Sequence, residues 1–389
     1  MILPLLSGNT AISIRHHRIV KYILTTHMHK IFKQNPGYKP FLLKLGFITL
    51  VSLPVIIYVF KISILNRHGI FQGEDWDYFA QNYEAARQSI LQYHQFPWWN
   101  PWMNGGQPLF ANPQFGLISI QMPLVLLFGT VAGLHYSLLF YFLLGFWGMY
   151  LLLGRSGSKS RLISILLSYI WVFSGFNAAH LSGGHLTFAI YLLVPWVLLT
   201  LLNINRSKLG WLWFGLSLSV LLNSGAHYLT FESLFIVLFI SAFQIVRIWR
   251  KDKIKNLKAG LPSILPYIYA AVLVALLCSI KLYYTIQFVH EYPRMLALDP
   301  PESLKLFLAS ITFRHGVDPA TLTNFGAQKY GWGEFGNYFG LSTLALFIYL
   351  VIKKFKSVKS IRPREWFLLT GILLAALITI GNFWSLSPF

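Results

Sequence analysis

One cysteine, 12 acidic residues and a charged fraction of 11% are all that this 389-residue chain has, where a soluble domain carries about a quarter of its residues as charges. The lone Cys278 excludes a disulfide framework and a thiolate metal centre, and its apolar neighbours make it a small buried side chain. There is no phosphate-binding glycine loop, no Gly-x-Gly-x-x-Gly following a strand, no His-Glu-x-x-His and no Cys-x-x-Cys. Nucleotide-driven, dehydrogenase and zinc-peptidase chemistries therefore have no motif to stand on. Inverted repeats and matched pairs of Gly/Pro-broken helices, which point to many secondary transporters, are also missing. The opening Met1 to Ser13 lacks the basic start and small-residue cleavage pattern of a secretory signal. The first apolar run is then expected to act as the membrane anchor, with the 27 residues before Met28 a dispensable extension.

Apolar residues fill the space that charge leaves: 55% of the chain is hydrophobic and the mean hydropathy is +0.56. About 20 apolar residues cross a bilayer as a helix. Segments near 42–64, 134–153, 162–179, 186–203, 209–223, 228–246, 262–286, 338–352 and 366–381 read as such helices. The expected fold is an all-α polytopic membrane protein, a bundle of about nine transmembrane helices behind a basic cytoplasmic segment, 1–41. Residues 117–131, short and carrying Pro123, are expected to lie in the outer interface.

A formal net charge of +20 suggests nucleic acid until the cations are located. Most of the 32 Lys and Arg fall in residues 1–44, at Arg155, Lys159 and Arg161, at Arg206 and Lys208, in 247–258 and in 353–364. Short positive links mark the cytoplasmic face and meet anionic headgroups, so the expected partners include membrane lipids and no nucleic acid. With these links inside, 66–116 and 287–337 become long extracytoplasmic loops. All acids except Glu232, Asp252 and Glu365 lie in those two loops, and every histidine after residue 29 lies on or near the outer face. Such sorting of titratable groups is expected of a catalytic or binding surface that faces outward.

The first outer loop opens with Glu74, Asp75 and Asp77 directly after a span. Crowded carboxylates raise one another's pKa and serve either as a base or as a solvated acidic cap. Its end, Phe96-Pro-Trp-Trp-Asn-Pro-Trp-Met-Asn-Gly-Gly-Gln-Pro-Leu-Phe-Ala-Asn-Pro-Gln114, is rich in turns. Trp98, Trp99 and Trp102 there suit interfacial anchoring and stacking on sugar rings equally. Asn100 and Gln107 complete the substrate-contact candidates of this stretch. His185 follows Gly-Gly and His227 follows Gly-Ala at the outer ends of helices, where imidazole binds phosphate or moves a proton. Lys281 and Glu232 lie inside apolar runs, where a charge is costly unless paired. Arg294, Arg314 and Lys329 are the cations of the second loop. No fixed ligand spacing is present, so no metal or other cofactor is expected, a loosely bound divalent cation being the nearest exception.

Gly73 to Asp77 followed by the Phe96 to Gln114 stretch resembles the YfhO-like family of bacterial membrane proteins, within the membrane glycosyltransferases of the GT-C type. Ser182-Gly-Gly-His-Leu-Thr-Phe188, Asn223-Ser-Gly-Ala-His-Tyr228 and Trp332-Gly-Glu-Phe-Gly-Asn-Tyr-Phe-Gly340 look like family segments in the same order, so the likeness covers roughly 66–389. Relatives usually continue beyond a segment like Gly381 to Phe389, so the resemblance implies the expectation of a truncated or naturally short member.

The resemblance implies a GT-C-like bundle and inverting transfer of a sugar from a polyprenyl-phosphate donor to a cell-envelope glycan, lipid or protein on the outer face. Asp75 matches the acid of the family's opening motif and is the first choice for the base, with Asp77 second and Glu74 third. Glu334 resembles the family's second acidic position, suited to the acceptor, and Arg294 suits the donor phosphate. Two readings stand beside the enzyme: a carrier or lipid-linked-saccharide flippase working through Glu232 and Lys281, and a non-catalytic assembly subunit.

Overall fold

Long apolar runs with helix-forming residues and few internal breakers should fold as helices, because a bilayer leaves backbone groups no other partner. The computed structural model describes residues 38–61, 75–252, 257–292, 304–313, 337–338 and 340–355. It divides into two compact units, Met1–Val55 and Ile56–Phe389. Of the first unit, the described part is a helix, the bulk of α1 (Tyr38–Val59), with Pro54 inside it.

The second unit is helical apart from one short antiparallel pair. After α2 (Trp76–Leu91) come β1 (Trp99–Asn100) and β2 (Gln107–Pro108), with Trp99 opposite Pro108 and Asn100 opposite Gln107. Then follow α3 (Gln121–Phe128), α4 (Thr130–Ser156), α5 (Arg161–Val172), α6 (Gly175–Ser182), a 3-10 segment (Leu186–Leu193), α7 (Val194–Leu201), α8 (Gly210–Asn223), α9 (His227–Lys251), α10 (Leu257–Glu291), α11 (Leu304–Thr312) and α12 (Leu341–Phe355).

Four stretches are long and apolar enough to cross a membrane: Thr130–Ser156, Arg161–Ser182, Glu232–Arg250 and Ala259–Glu291. This is an all-α membrane protein. The α4 stretch is 44% buried within the protein, whereas those of α9 and α10 are 11% buried. An apolar surface of that extent is stable facing lipid and unstable facing water. α4 is therefore the central helix, and α9 and α10 turn much of their apolar surface outward.

Two expected spans take a different form. The run at 162–179 breaks where Ser174 turns extended (φ −62°, ψ 153°), and α6 restarts at Gly175. The run at 186–203 winds as a 3-10 segment before an eight-residue helix that begins Val194-Pro195. Proline has no amide hydrogen and suits the first turn of a helix, so it fixes α7's start at that point. The expected interfacial segment becomes α3 and the start of α4, joined where the buried Tyr141 hydroxyl donates to Gln121 Oε1 at 2.6 Å. The last expected span, 366–381, lies outside the described residues.

The short basic links show the local chemistry expected of helix ends. Ser160 Oγ accepts from Ile163 N at the start of α5, and Arg155 reaches Asn203 Oδ1 at 2.5 Å and the Leu202 carbonyl at 2.7 Å. A cation on the last carbonyls of a helix satisfies acceptors that no helical amide can reach. At the other end, Glu84 of α2 binds Arg87 and Gln88 at 3.0 Å each and accepts from Thr130 at the start of α4. That contact fixes α2 to the central helix.

Candidate functional site

Asp75 occupies the N-cap position of α2, where a carboxylate is favoured by the helix dipole. Its side chain makes no capping hydrogen bond and stays about half exposed, while Oδ2 stands 3.8 Å from His185 Nε2. His185 is brought there by the Gly183-Gly184 turn. The Asp75 amide donates to the Gly183 carbonyl at 3.4 Å. Gly184 has φ +77°, and a Cβ there would lie 2.5 Å from the Trp76 nitrogen. Only glycine takes both that backbone and that approach. The two segments that the sequence places a hundred residues apart thus meet backbone to backbone.

Behind His185 stands a second imidazole. His180 Nδ1 and His185 Nδ1 are 2.8 Å apart. The His180 ring lies flat on Phe188, with centroids 3.9 Å apart and planes 6° from parallel, and edge-on to Phe176 at 4.4 Å. Only 4% of His180 is exposed. Phe176 continues to Tyr191, ring to ring at 4.9 Å, and the Tyr191 hydroxyl donates to Glu232 Oε2. His180 and Tyr191 were not singled out from the sequence. The available signal was a histidine closing an apolar helix five residues before Gly-Gly-His185, a spacing that reads as a helix end until the turn geometry is known.

Asp77, in the first turn of α2, is exposed and has no hydrogen bond or ion pair among the described residues. Asn100 and Gln107 are placed differently. Asn82, buried in α2, accepts from Asn100 Nδ2 at 3.0 Å and from Gln107 Nε2 at 3.5 Å, while Asn100 Oδ1 takes the Trp102 amide at 3.1 Å. Gln107 also donates to Met103 sulfur at 3.1 Å. Asn100 thus commits both ends of its amide to α2 and the hairpin, and Gln107 commits its Nε2 to Asn82 and Met103. Trp99 is half exposed with its indole over Gly106, and Trp98 packs edge-on against Phe110 and Tyr284 at 5.3 and 5.2 Å.

Lys281, the cation inside α10, is held by the loop: its Nζ donates to the Phe110 and Asn112 carbonyls, the latter at 2.7 Å, and lies over the Phe110 ring. Nearby, Gly225 has φ +91°, and a Cβ on it would lie 2.6 Å from the Gln114 carbonyl oxygen. The loop end is thus seated against the α8–α9 turn as well as α10. Tyr83 anchors the middle. Its buried hydroxyl faces the Gly116 carbonyl and Ser119 at 3.4 Å, and burial pushes its pKa up to about 12.

The backbone at His227 opens α9, but its side chain lies outside the described residues, as do Glu74, Arg294, Arg314, Lys329 and Glu334 entirely. Cys278 is buried and accepts from Asn223 Nδ2 at 3.0 Å. Among the described residues no group of three His, Cys, Asp or Glu side chains is arranged to hold a metal ion. Comparison of the chain with family models, curated proteins and solved structures finds no match in any of the three.

Proposed function

We propose that the chain is a multi-pass glycosyltransferase of the GT-C type that moves a sugar from a polyprenyl-phosphate donor to an acceptor on the extracytoplasmic face, inverting the anomeric carbon. The observation that carries this reading is the half-exposed Asp75 carboxylate, at the start of α2 and opposite His185. Asp75 takes the acceptor hydroxyl's proton as that oxygen bonds to the anomeric carbon. The bond from that carbon to phosphate breaks, and its electron pair leaves on the phosphate. Proton removal by a placed carboxylate is worth about 10²–10⁴-fold in rate. Cations near the leaving phosphate stabilise the charge that develops there, a role for Arg294. Glu334 and Glu74 are assigned to the acceptor side, with Trp99 as the stacking surface.

In the full arrangement, about nine spans run from a cytoplasmic N-terminus to 366–381. The acceptor is an envelope glycan, lipid or protein. A second reading, a carrier or lipid-linked-saccharide flippase, draws on Glu232, an acid inside α9 held by Tyr191. One experiment separates them. Proteoliposomes holding the protein are given a panel of labelled polyprenyl-phosphate hexoses and N-acetylhexosamines with envelope acceptors. Covalent transfer of label supports the enzyme; movement of intact labelled lipid between leaflets without transfer supports the carrier.

A further inference from the structure

A neutral imidazole has one nitrogen that donates and one that accepts. The 2.8 Å contact between the Nδ1 atoms of His180 and His185 therefore needs a proton on one of them and not the other. The opposite nitrogen of His185 faces Asp75 Oδ2, and a carboxylate only accepts. Both contacts are favourable with neutral rings in one arrangement: His180 donates from Nδ1, His185 accepts at Nδ1, and His185 presents Nε2–H to Asp75.

We propose that His180 is a positioning residue for the reaction assigned to Asp75: it fixes the tautomer of His185 so that the Nε2–H points at the Asp75 carboxylate. This rests on the glycosyltransferase reading of Asp75. The surroundings are built for a fixed ring rather than a mobile one. His180 lies flat on Phe188 with Phe176 edge-on, which fixes the plane of its ring, and the Nδ1 contact with His185 selects which edge of the ring faces that way. His185 is held by the Gly183-Gly184 turn that is itself bonded to the Asp75 amide. One side of the carboxylate therefore faces a directed donor across 3.8 Å, and its exposed side is left for the acceptor hydroxyl. Orientation of an active carboxylate or imidazole by a second group is the logic of catalytic triads, where the wrong tautomer costs activity although the geometry survives.

The test uses the full-length protein in lipid nanodiscs with ¹⁵N-labelled histidine, the His185 resonances being assigned by loss in His185→Gln. Two variants of His180 are compared. His180→Phe keeps a flat ring on Phe188 and removes the donor, whereas His180→Asn offers an amide N–H near the position of Nδ1. In the wild type and His180→Asn, His185 is expected to carry its proton on Nε2. In His180→Phe it is expected to populate the Nδ1–H form, with kcat for sugar transfer down about tenfold and KM unchanged, as for other orienting partners. A wild-type His185 that is Nδ1–H or doubly protonated, or one unmoved by His180→Phe, would overturn the assignment. The tautomer is read without substrate. If it behaves as expected while Asp75→Asn still transfers sugar, the positioning contact stands and the glycosyltransferase reading falls.

Discussion

The two ends of the long loop that precedes α3 use polar residues in opposite ways. At its start, Asp75 and Asp77 stay exposed, and Asp75 meets His185 only at 3.8 Å. At its end, Asn100 and Gln107 donate to the buried Asn82 of α2, Asn112 donates to the Tyr78 hydroxyl and accepts from the Gln114 amide, and Lys281 closes the arrangement from α10. A buried polar group that has its partners is costly to disturb and contributes to one fixed geometry. A carboxylate with spare accepting capacity and an open face is suited to chemistry. The loop end is thus a rigid mount, and the loop start carries the carboxylate with accepting capacity to spare.

That contrast breaks most sharply at Asp75. Asp75→Asn is expected to lower sugar transfer by about 10²–10⁴-fold, the range for loss of a general base, with no change in melting temperature beyond that of an ordinary surface substitution. Asp77→Asn measures how far the role is shared: a fall of comparable size would move the base to the second carboxylate. At the loop end the same chemistry should register as stability. Lys281→Met leaves the Phe110 and Asn112 carbonyls without their donor. A buried acceptor left unsatisfied costs about 1–3 kcal/mol, to be read from thermal unfolding in detergent and from faster proteolysis between residues 96 and 116. Asn100→Leu removes the bonds to Asn82 and to the Trp102 amide and should cost a similar or slightly smaller amount, on the order of 1–2 kcal/mol. Neither loop-end change should alter the pH dependence of transfer.

The smallest effect sharpens the mount's chemistry. Tyr83 ionises only near pH 12 in the folded protein, because burial disfavours the phenolate, while in the unfolded chain it ionises near 10. Above pH 10 the unfolded state holds fewer protons than the native one, so stability falls as pH rises from about 10 to about 12. Tyr83→Phe should flatten that part of the profile, which a pH series of thermal melts would show. An unchanged slope would place the alkaline sensitivity elsewhere.

The sequence made the long helices legible because apolar length is the signal that a bilayer enforces. The run at 134–153 lies within α4 and that at 262–286 within α10. α10 runs on from the expected end at 286 to Glu291, and the seat that Lys281 finds on the loop carbonyls is a contact no hydropathy window registers. The breaks at Ser174 and Val194-Pro195 were harder, since both sit inside runs of uniform apolarity. At the site, the sequence offered Asp75 and His185 as separate candidates. Their meeting depends on Gly184's left-handed backbone, a tertiary feature. It offered Asn100 and Gln107 beside them on chemistry alone, and their shared partner Asn82, together with the burial of Asn100, is what marks them as mounting amides. His180 stayed hidden because its partner lies across a turn rather than along a helix face.

The most direct test of the central claim sets the two ends of the loop against each other in one assay. Labelled sugar transfer from the reactive polyprenyl-phosphate donor is measured for the wild type, Asp75→Asn and Asn100→Leu at a temperature where all three remain folded. Transfer is expected to be lost in Asp75→Asn and retained in Asn100→Leu. Transfer retained in Asp75→Asn and lost in the folded Asn100→Leu would contradict it and move the chemistry to the hairpin.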